Sequence, residues 1–314
     1  MKKPLLDLHL SRGLGDTICA TPVIRKLYNS YGRKISVLTV HPDVFKNNPL
    51  VEDLYYTENS DMGVIHENYE VLTSFIPNVE NKFGISLRHN QFDIRQFHAA
   101  GLGFQLLESE MEMDLYPDPF IDVVNLPEKF IVIHPVQTWP SRTWVPENWA
   151  LLTRMLNDSG IAVVSVGKDS NEVGNSNVDK PVFNFEIKLG LNLLNKANIS
   201  QTWWLMQKSL GVVTMDSGML HLAGTTDAYI FQLGSSVDYR LRAPFRKGSQ
   251  NYKYSYVGGE CMKMCATDMK YGVKYWNSIR GIPSLVKCLE NYDTFLCQPN
   301  VLQVYNKIME KISA

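Results

Sequence analysis

The chain has 314 residues, 45% of them hydrophobic and 20% charged, with a formal net charge of −1. These are the proportions of a water-soluble globular protein of roughly two domains. No run of about 18 apolar residues is present and neither half carries a dense basic stripe, which excludes a membrane-spanning helix and a nucleic-acid partner while leaving peripheral membrane contact open. The basic start, Met1-Lys2-Lys3, leads into an apolar run broken at Asp7 and His9, too short for a signal peptide. A cytoplasmic location with mostly reduced cysteines is therefore expected. Charge is unevenly spread: residues 1–125 carry 11 basic and 17 acidic side chains, residues 126–314 carry 20 and 15. The second half has the sign that suits an anionic ligand.

In chain order, Leu5–Leu10 has a buried-strand pattern and runs into Ser11-Arg12-Gly13-Leu14-Gly15-Asp16, followed by an apolar-periodic segment over Ile18–Tyr28. Strand, glycine turn and helix in that order suggest that Gly13 and Gly15 permit a sharp turn and close ligand approach, with Asp16 at the helix start facing the cleft above the strand ends. A helix cap at Asp16 is the alternative. Ile35–Val40 reads as a second strand, completing a βαβ unit. Short strands are expected near Leu54–Tyr56 and Val71–Ile76, and a helix over Gln91–Leu107. The prolines of Tyr116-Pro117-Asp118-Pro119 and Asn125-Leu126-Pro127 break any element and mark a linker. The domains are accordingly placed at 1–125 and 126–314.

The pattern then restarts, with strands over Phe130–Ile133 and Ile161–Val166, a loop over 136–149 carrying Arg142, Trp144 and Trp149, and helices over Asn148–Leu156 and Trp203–Leu210. The most informative stretch is Val212–His221. Two β-branched residues lead into Asp216-Ser217-Gly218 and then a helical segment, Met219–Gly224. A strand, a polar turn and a helix N-terminus form a ready anion site, because the first amides have no helical partner. His221 falls one turn further in. An ordinary turn capped by Asp216 is the alternative. Tyr229–Leu233 reads as a further strand. Cys261, Cys265, Cys288 and Cys297 crowd the last 54 residues with spacing C-x3-C-x22-C-x8-C, a candidate structural zinc or iron site, against unlinked or disulfide-bonded cysteines. Cys19 reads as a small core residue. Val301–Ile312 is an amphipathic helix.

Taken together, Ser11-Arg12-Gly13-Leu14-Gly15-Asp16 with Thr21-Pro22, Ile133-His134-Pro135, Arg142-Thr143-Trp144 with Pro146 and Trp149, and Asp216-Ser217-Gly218 with His221-Leu222-Ala223 resemble the motifs of glycosyltransferase family nine, the ADP-heptose:lipopolysaccharide heptosyltransferases. The resemblance implies an α/β GT-B fold, two Rossmann-like domains facing across a cleft and closed by a C-terminal helix. It also implies a nucleotide-diphosphate sugar donor in the C-terminal domain and an acceptor in the N-terminal one. Asp16 matches the family's catalytic base. Arg142 stands where a basic residue precedes the tryptophan, and Arg142, Asp216, Ser217, Gly218 and His221 would hold the donor. No metal is then required for catalysis. The four cysteines resemble, in number and placement, the iron site of a branch that glycosylates bacterial autotransporter proteins. The acidic first half argues against a phosphorylated lipopolysaccharide core as acceptor, leaving a protein, a neutral glycan or a small molecule. A catalytically silent nucleotide-sugar-binding or scaffold protein is the alternative. A nicotinamide oxidoreductase is disfavoured by the incomplete glycine fingerprint and the lack of an acidic residue after the second strand.

Overall fold

The computed structural model describes residues 2–11, 13–74, 93–119, 125–136, 142–168, 190–246, 252–265, 288–290 and 292–312. Arg12, residues 137–141 of the Arg142 loop, the end of the Val71–Ile76 strand and the start of the Gln91–Leu107 helix lie outside them. The chain divides into two compact units. One is Met1–Pro119 with Pro244–Asn251, the other Phe120–Ala243 with Tyr252–Ala314. The first division falls at the proline-rich stretch; the second, around residues 244–251, has no compositional mark.

The first unit is built on β1 (Lys3–Asp7), α1 (Leu14–Cys19), α2 (Thr21–Tyr31), β2 (Ile35–Thr39), β3 (Val51–Tyr56), α3 (Met62–Asn68), β4 (Tyr69–Thr73) and α4 (Ile94–Gly101). Its strands are all parallel, in the order β3-β2-β1-β4. Central strands of a parallel sheet are covered on both faces, and β1 and β2 are buried along their length apart from Lys3. Strand β1 stops at Asp7, not at Leu10. The single helical segment expected from Ile18 is two helices that meet at Ala20, because Pro22 restarts the helix at its first turn. Helix α4 ends at Gly101, six residues short of the expected Leu107, and Gly103 has a φ of 86°, which a continuing helix cannot accommodate.

The second unit contains β5 (Phe130–His134), α5 (Pro146–Asp158), β6 (Ala162–Ser165), β7 (Leu191–Asn192), α6 (Ile199–Lys208), β8 (Gly211–Thr214), α7 (Gly218–Gly224), β9 (Tyr229–Leu233), β10 (Tyr254–Val257) and α8 (Val301–Ile312). The sheet is parallel, in the order β10-β9-β8-β5-β6-β7. Helix α5 begins at Pro146, inside the stretch expected to be loop, since proline is favoured where the first helical N–H would be unpaired anyway. Helix α8 falls on Val301–Ile312 as its periodicity predicts and lays Val304 and Ile308 against α5, in a core shared with Trp144, Trp149, Ile131 and Ile133. Trp144 and Trp149 meet edge to face, ring centroids 5.0 Å apart. The indole of Trp144 donates to the carbonyl of Pro299 at 2.9 Å, and the side-chain amide of Gln298 donates to the carbonyl of Thr143 at 3.0 Å. The segment before α8 thereby anchors the loop that carries Arg142.

In each sheet the strand order reverses beside the unit's first strand, between β1 and β4 and between β5 and β8. Adjacent crossovers there run to opposite faces, so the loops leaving the carboxyl ends of those strands part and open a crevice. Asp16 follows β1, and Asp216, Ser217 and Gly218 follow β8.

Candidate active site

The β1 exit loop is held by several local bonds. The carboxylate of Asp7, buried at the end of β1, accepts from the backbone N–H of His9 at 3.0 Å and lies 2.7 Å from the His9 Nδ1. The hydroxyl of Thr17 donates to the carbonyl of Gly13 at 3.1 Å. Asp16 is half-buried in the first turn of α1, where a carboxylate is favoured by the helix dipole. It is not the N-cap residue, which is Gly13. The reason for glycine at 13 also differs from expectation. Its φ of −79° and ψ of 133° are open to any residue. Space is the constraint, because a Cβ on Gly13 would lie 2.7 Å from the Asp16 Oδ2. Gly15 lies within α1 itself, so it supplies no turn.

Behind this turn stands His98, on α4. It is 2% exposed, with Nδ1 3.0 Å from the Ser74 hydroxyl just past β4. Burial pushes its imidazole down to about 4, with the backbone of Asp16, facing the ring, acting weakly in the opposite direction. His98 is thus a packed core histidine beside the end of β4.

In the second unit Arg142, Asp216, Ser217, Gly218 and His221 converge at the exit of β8. Ser217, not Asp216, caps α7: its Oγ accepts from the Met219 N–H at 3.2 Å and lies 3.1 Å from the Thr214 hydroxyl. His134, at the carboxyl end of β5, places Nδ1 3.3 Å from the same Oγ. A serine so held fixes the first turn of α7, with Gly218 as its first residue. His134 is fully enclosed, and burial pushes its imidazole down to about 4. Room for its ring requires glycine at 167, where φ is 128° and a Cβ would come within 2.7 Å of the ring Cδ2. Asp216 turns the other way. Its side chain is 3% exposed and its Oδ2 accepts from Arg142 Nη1 at 2.9 Å. Burial alone would raise its pKa, but the guanidiniums of Arg142 and Arg242 and the neighbouring His221 outweigh burial and hold it below the usual carboxylate range.

Arg242, with its Nε 3.8 Å from the same Asp216 oxygen, was not picked out from sequence. Nor was Tyr254, whose hydroxyl donates to the Gln232 side-chain carbonyl at 2.7 Å. The sequence signal available for Arg242 was the local run Asp238–Arg246, with its arginines at 240, 242 and 246.

The four late cysteines form a separate neighbourhood. The Gly259 N–H donates to the Cys297 carbonyl and the Cys261 N–H to the Leu296 carbonyl, each at 3.0 Å, so the segments bearing Cys261 and Cys297 lie side by side. None of the five cysteines forms a disulfide, and the buried Cys19 thiol lies 3.6 Å from the Met113 sulfur. Burial, then Cys261, Cys288 and Glu290, pushes the Cys265 thiol up to about 11; burial, then Cys261, Cys288 and Cys265, pushes Cys297 up to about 12. Among the described residues no group of three or more His, Cys, Asp or Glu side chains is arranged to hold a metal ion.

Two parallel α/β units, each with its polar residues gathered where the strand order reverses, are the framework of a GT-B glycosyltransferase. The chain belongs to glycosyltransferase family 9, described as heptosyltransferase, whose sequence profile it matches over residues 76–233. Among solved structures it is similar to the ADP-heptose LPS heptosyltransferase II of E. coli, at 15% identity, 100% coverage of both chains and a TM-score of 0.63. It is also similar to the iron-containing dodecameric glycosyltransferase TibC of enterotoxigenic E. coli, at 12% identity, 99% of this chain, 76% of that one and a TM-score of 0.69. A family 9 glycosyl transferase from Veillonella parvula is similar at 13% identity, 99% and 97% coverage and a TM-score of 0.62. At such identities the likeness is one of fold. No curated protein matches the chain by sequence. Among the described residues no helix is long and apolar enough to cross a membrane.

Two predictions follow from this geometry. Gly13→Ala should leave the fold intact, since the backbone conformation suits alanine, but should displace the Asp16 carboxylate. The melting temperature should stay within a few degrees of wild type, and a structure of the variant should show the carboxylate moved; an unmoved carboxylate would refute the steric role. His98 and His134 both have folded pKa values depressed from 6.5 to about 4, so the unfolded chain takes up protons first as pH falls. Their contribution is complete above about 6.5 and is lost progressively toward about 4. Denaturant titrations should show stability declining over that window, with a shallower slope in His134→Asn and in His98→Gln.

Proposed function

We propose that the protein is an inverting glycosyltransferase that moves a sugar, by family a heptose, from an ADP-linked donor to an acceptor hydroxyl, with Asp16 as general base. The carrying observation is Arg142, held at 2.9 Å by the buried Asp216 beside the Ser217-capped turn after β8. A fixed guanidinium beside a helix start suits a nucleoside diphosphate, whose charge grows as the bond to the anomeric carbon breaks. Arg142 and the Ser217 and Gly218 amides would stabilise that leaving group, and His221 would shape the cradle. TibC has been crystallised with ADP-D-β-D-heptose, which supports this donor class. The acceptor hydroxyl would lose its proton to the Asp16 carboxylate as its oxygen attacks from the face opposite the diphosphate, which inverts the anomeric centre. The acidic balance of residues 1–125 favours a protein, neutral glycan or small-molecule acceptor over a phosphorylated one. A cytoplasmic site of action follows from the nucleotide-sugar donor.

Asp16→Asn keeps the size of the side chain and removes the base. Transfer from ADP-heptose should fall by about two to four orders of magnitude. Binding of ADP should survive, read as the same thermal stabilisation in mutant and wild type, about 2.7 kcal/mol at a hundred times the dissociation constant. Transfer at the wild-type rate would remove Asp16 from the mechanism.

The cysteine neighbourhood is proposed to hold a structural zinc or iron ion. Burial, and then the neighbouring cysteines, raises the Cys265 and Cys297 thiols, which a cation would deprotonate on binding, and the sulfur donor set suits either metal. Catalysis itself is assigned no metal. Protein purified without chelator should carry about one metal ion per chain by elemental analysis, and Cys265→Ser or Cys297→Ser should carry none. Equal metal content in the variants would dismiss the site.

A further inference from the structure

His134 ends β5 and is 5% exposed, and the transfer described above gives it no part. It is the register partner of Thr214 on the neighbouring strand β8, three residues before Ser217. Burial keeps its ring neutral, so one ring nitrogen carries a proton and the other does not. The hydrogens around it decide which.

Among the described residues four contacts meet here. The Thr214 hydroxyl donates to the Met215 carbonyl at 3.1 Å. The hydroxyls of Thr214 and Ser217 lie 3.1 Å apart. The Met219 N–H donates to Ser217 Oγ at 3.2 Å, and His134 Nδ1 lies 3.3 Å from the same Oγ. Each contact needs one hydrogen. Thr214 has one, and it points to a carbonyl, which can only accept. The contact between the two hydroxyls must then use the Ser217 hydrogen. Met219 supplies its own. Neither hydroxyl has anything left for the fourth contact, so that hydrogen sits on His134 Nδ1. With Nδ1 bare, four contacts would have to share three hydrogens. The other edge of the ring lies over Gly167, where a Cβ would come within 2.7 Å of Cδ2 and 2.9 Å of Nε2.

The same count accounts for the Ser217 hydroxyl. Its oxygen accepts from Met219 and from His134, and its hydrogen goes to Thr214, which uses its full bonding capacity. No hydrogen remains on it for a phosphate oxygen.

We infer that His134 is a positioning residue of the donor site: its Nδ1–H holds the Ser217 side chain and so sets the turn after β8, and Ser217 meets the nucleoside diphosphate through its backbone alone. The inference rests on the donor reading given above. It braces the turn from β5, so the two strands that flank the reversal of strand order are tied together at their carboxyl ends.

Two measurements test it. Nitrogen-15 spectra of histidine-labelled protein, with the His134 signals assigned by their loss in His134→Asn, should show Nδ1 protonated and Nε2 bare at neutral pH; the reverse pattern overturns the inference. Calorimetric titration of ADP supplies the second. His134→Leu and Ser217→Ala should each weaken ADP binding about fivefold to tenfold, the worth of one neutral hydrogen bond. His134→Asn should stay within about twofold, because its amide can place an N–H where Nδ1–H stood. His134→Gln reaches the Nε2 position instead and should lose as much as the leucine variant. In the Ser217→Ala background His134→Leu should cost nothing more, since the ring acts through that oxygen. A histidine that merely fills space would cost the same in both backgrounds, so additive losses overturn the inference, as do equal losses in the asparagine and leucine variants. Loss of binding in Arg142→Gln with none in His134→Leu overturns it and leaves the donor reading standing. Unchanged binding in both overturns the donor reading and the inference with it. Should His134→Leu fail to fold, the spectrum and the contrast between asparagine and glutamine decide.

Discussion

A carboxylate without water must be answered by positive charge, and the second unit is arranged around that requirement at Asp216. Its position is set by β8, a buried strand that delivers it to the carboxyl edge of the sheet. Two guanidiniums come to it from distant parts of the chain, Arg142 before α5 and Arg242 after β9. Neither is held by the sheet directly. Arg142 depends on the loop that Trp144 and Gln298 tie to the segment before α8, and Arg242 on the 3₁₀ turn started by Asp238. Losing both arms would leave the carboxylate unpaired in a medium where an ion is expensive, which couples the shape of the site to its charge.

The two units solve the same geometric problem with different chemistry. Both place their first strand beside the reversal of strand order, and both load the loops there with polar groups. In the first unit a short helix carries an acid, with a buried neutral imidazole behind it and a glycine that makes room for the carboxylate. In the second a serine cap and a second buried imidazole fix a turn beside the arginines. One arrangement can accept a proton and the other can face an anion, matching the signs of net charge in the two halves.

Much of this was legible before any coordinates. The apolar runs of β5, β8 and β9 and the periodicity of α8 located those elements to within a residue or two, since buried parallel strands and a one-sided helix leave strong patterns. Elements governed by local chemistry were less visible. The break between α1 and α2 depends on Pro22, the end of α4 on glycines, and the short strand β7 has too few residues to show a pattern. At the site, the turn after β8 announced itself through Asp216-Ser217-Gly218, yet sequence could not say which of two cap-forming residues would cap. The answer turned on Arg142 claiming the aspartate from 74 positions away. Arg242 and the bond of His134 to Ser217 escaped for the same reason: the partners lie elsewhere in the sequence, and the arginines of Asp238–Arg246 and the His134-Pro135 motif mark the residues without naming what they meet.

Trp144, Trp149, Ile131 and Ile133 share one core with Val301, Val304 and Ile308, and the indole of Trp144 donates to the carbonyl of Pro299. During synthesis, β5 and the arginine loop leave the ribosome well over a hundred residues before that helix does. Until it arrives, the inner face of α5 has no cover and the tryptophan no acceptor. The nascent second unit is thus a half-built layer with exposed aromatic surface until residues 299–312 have been made.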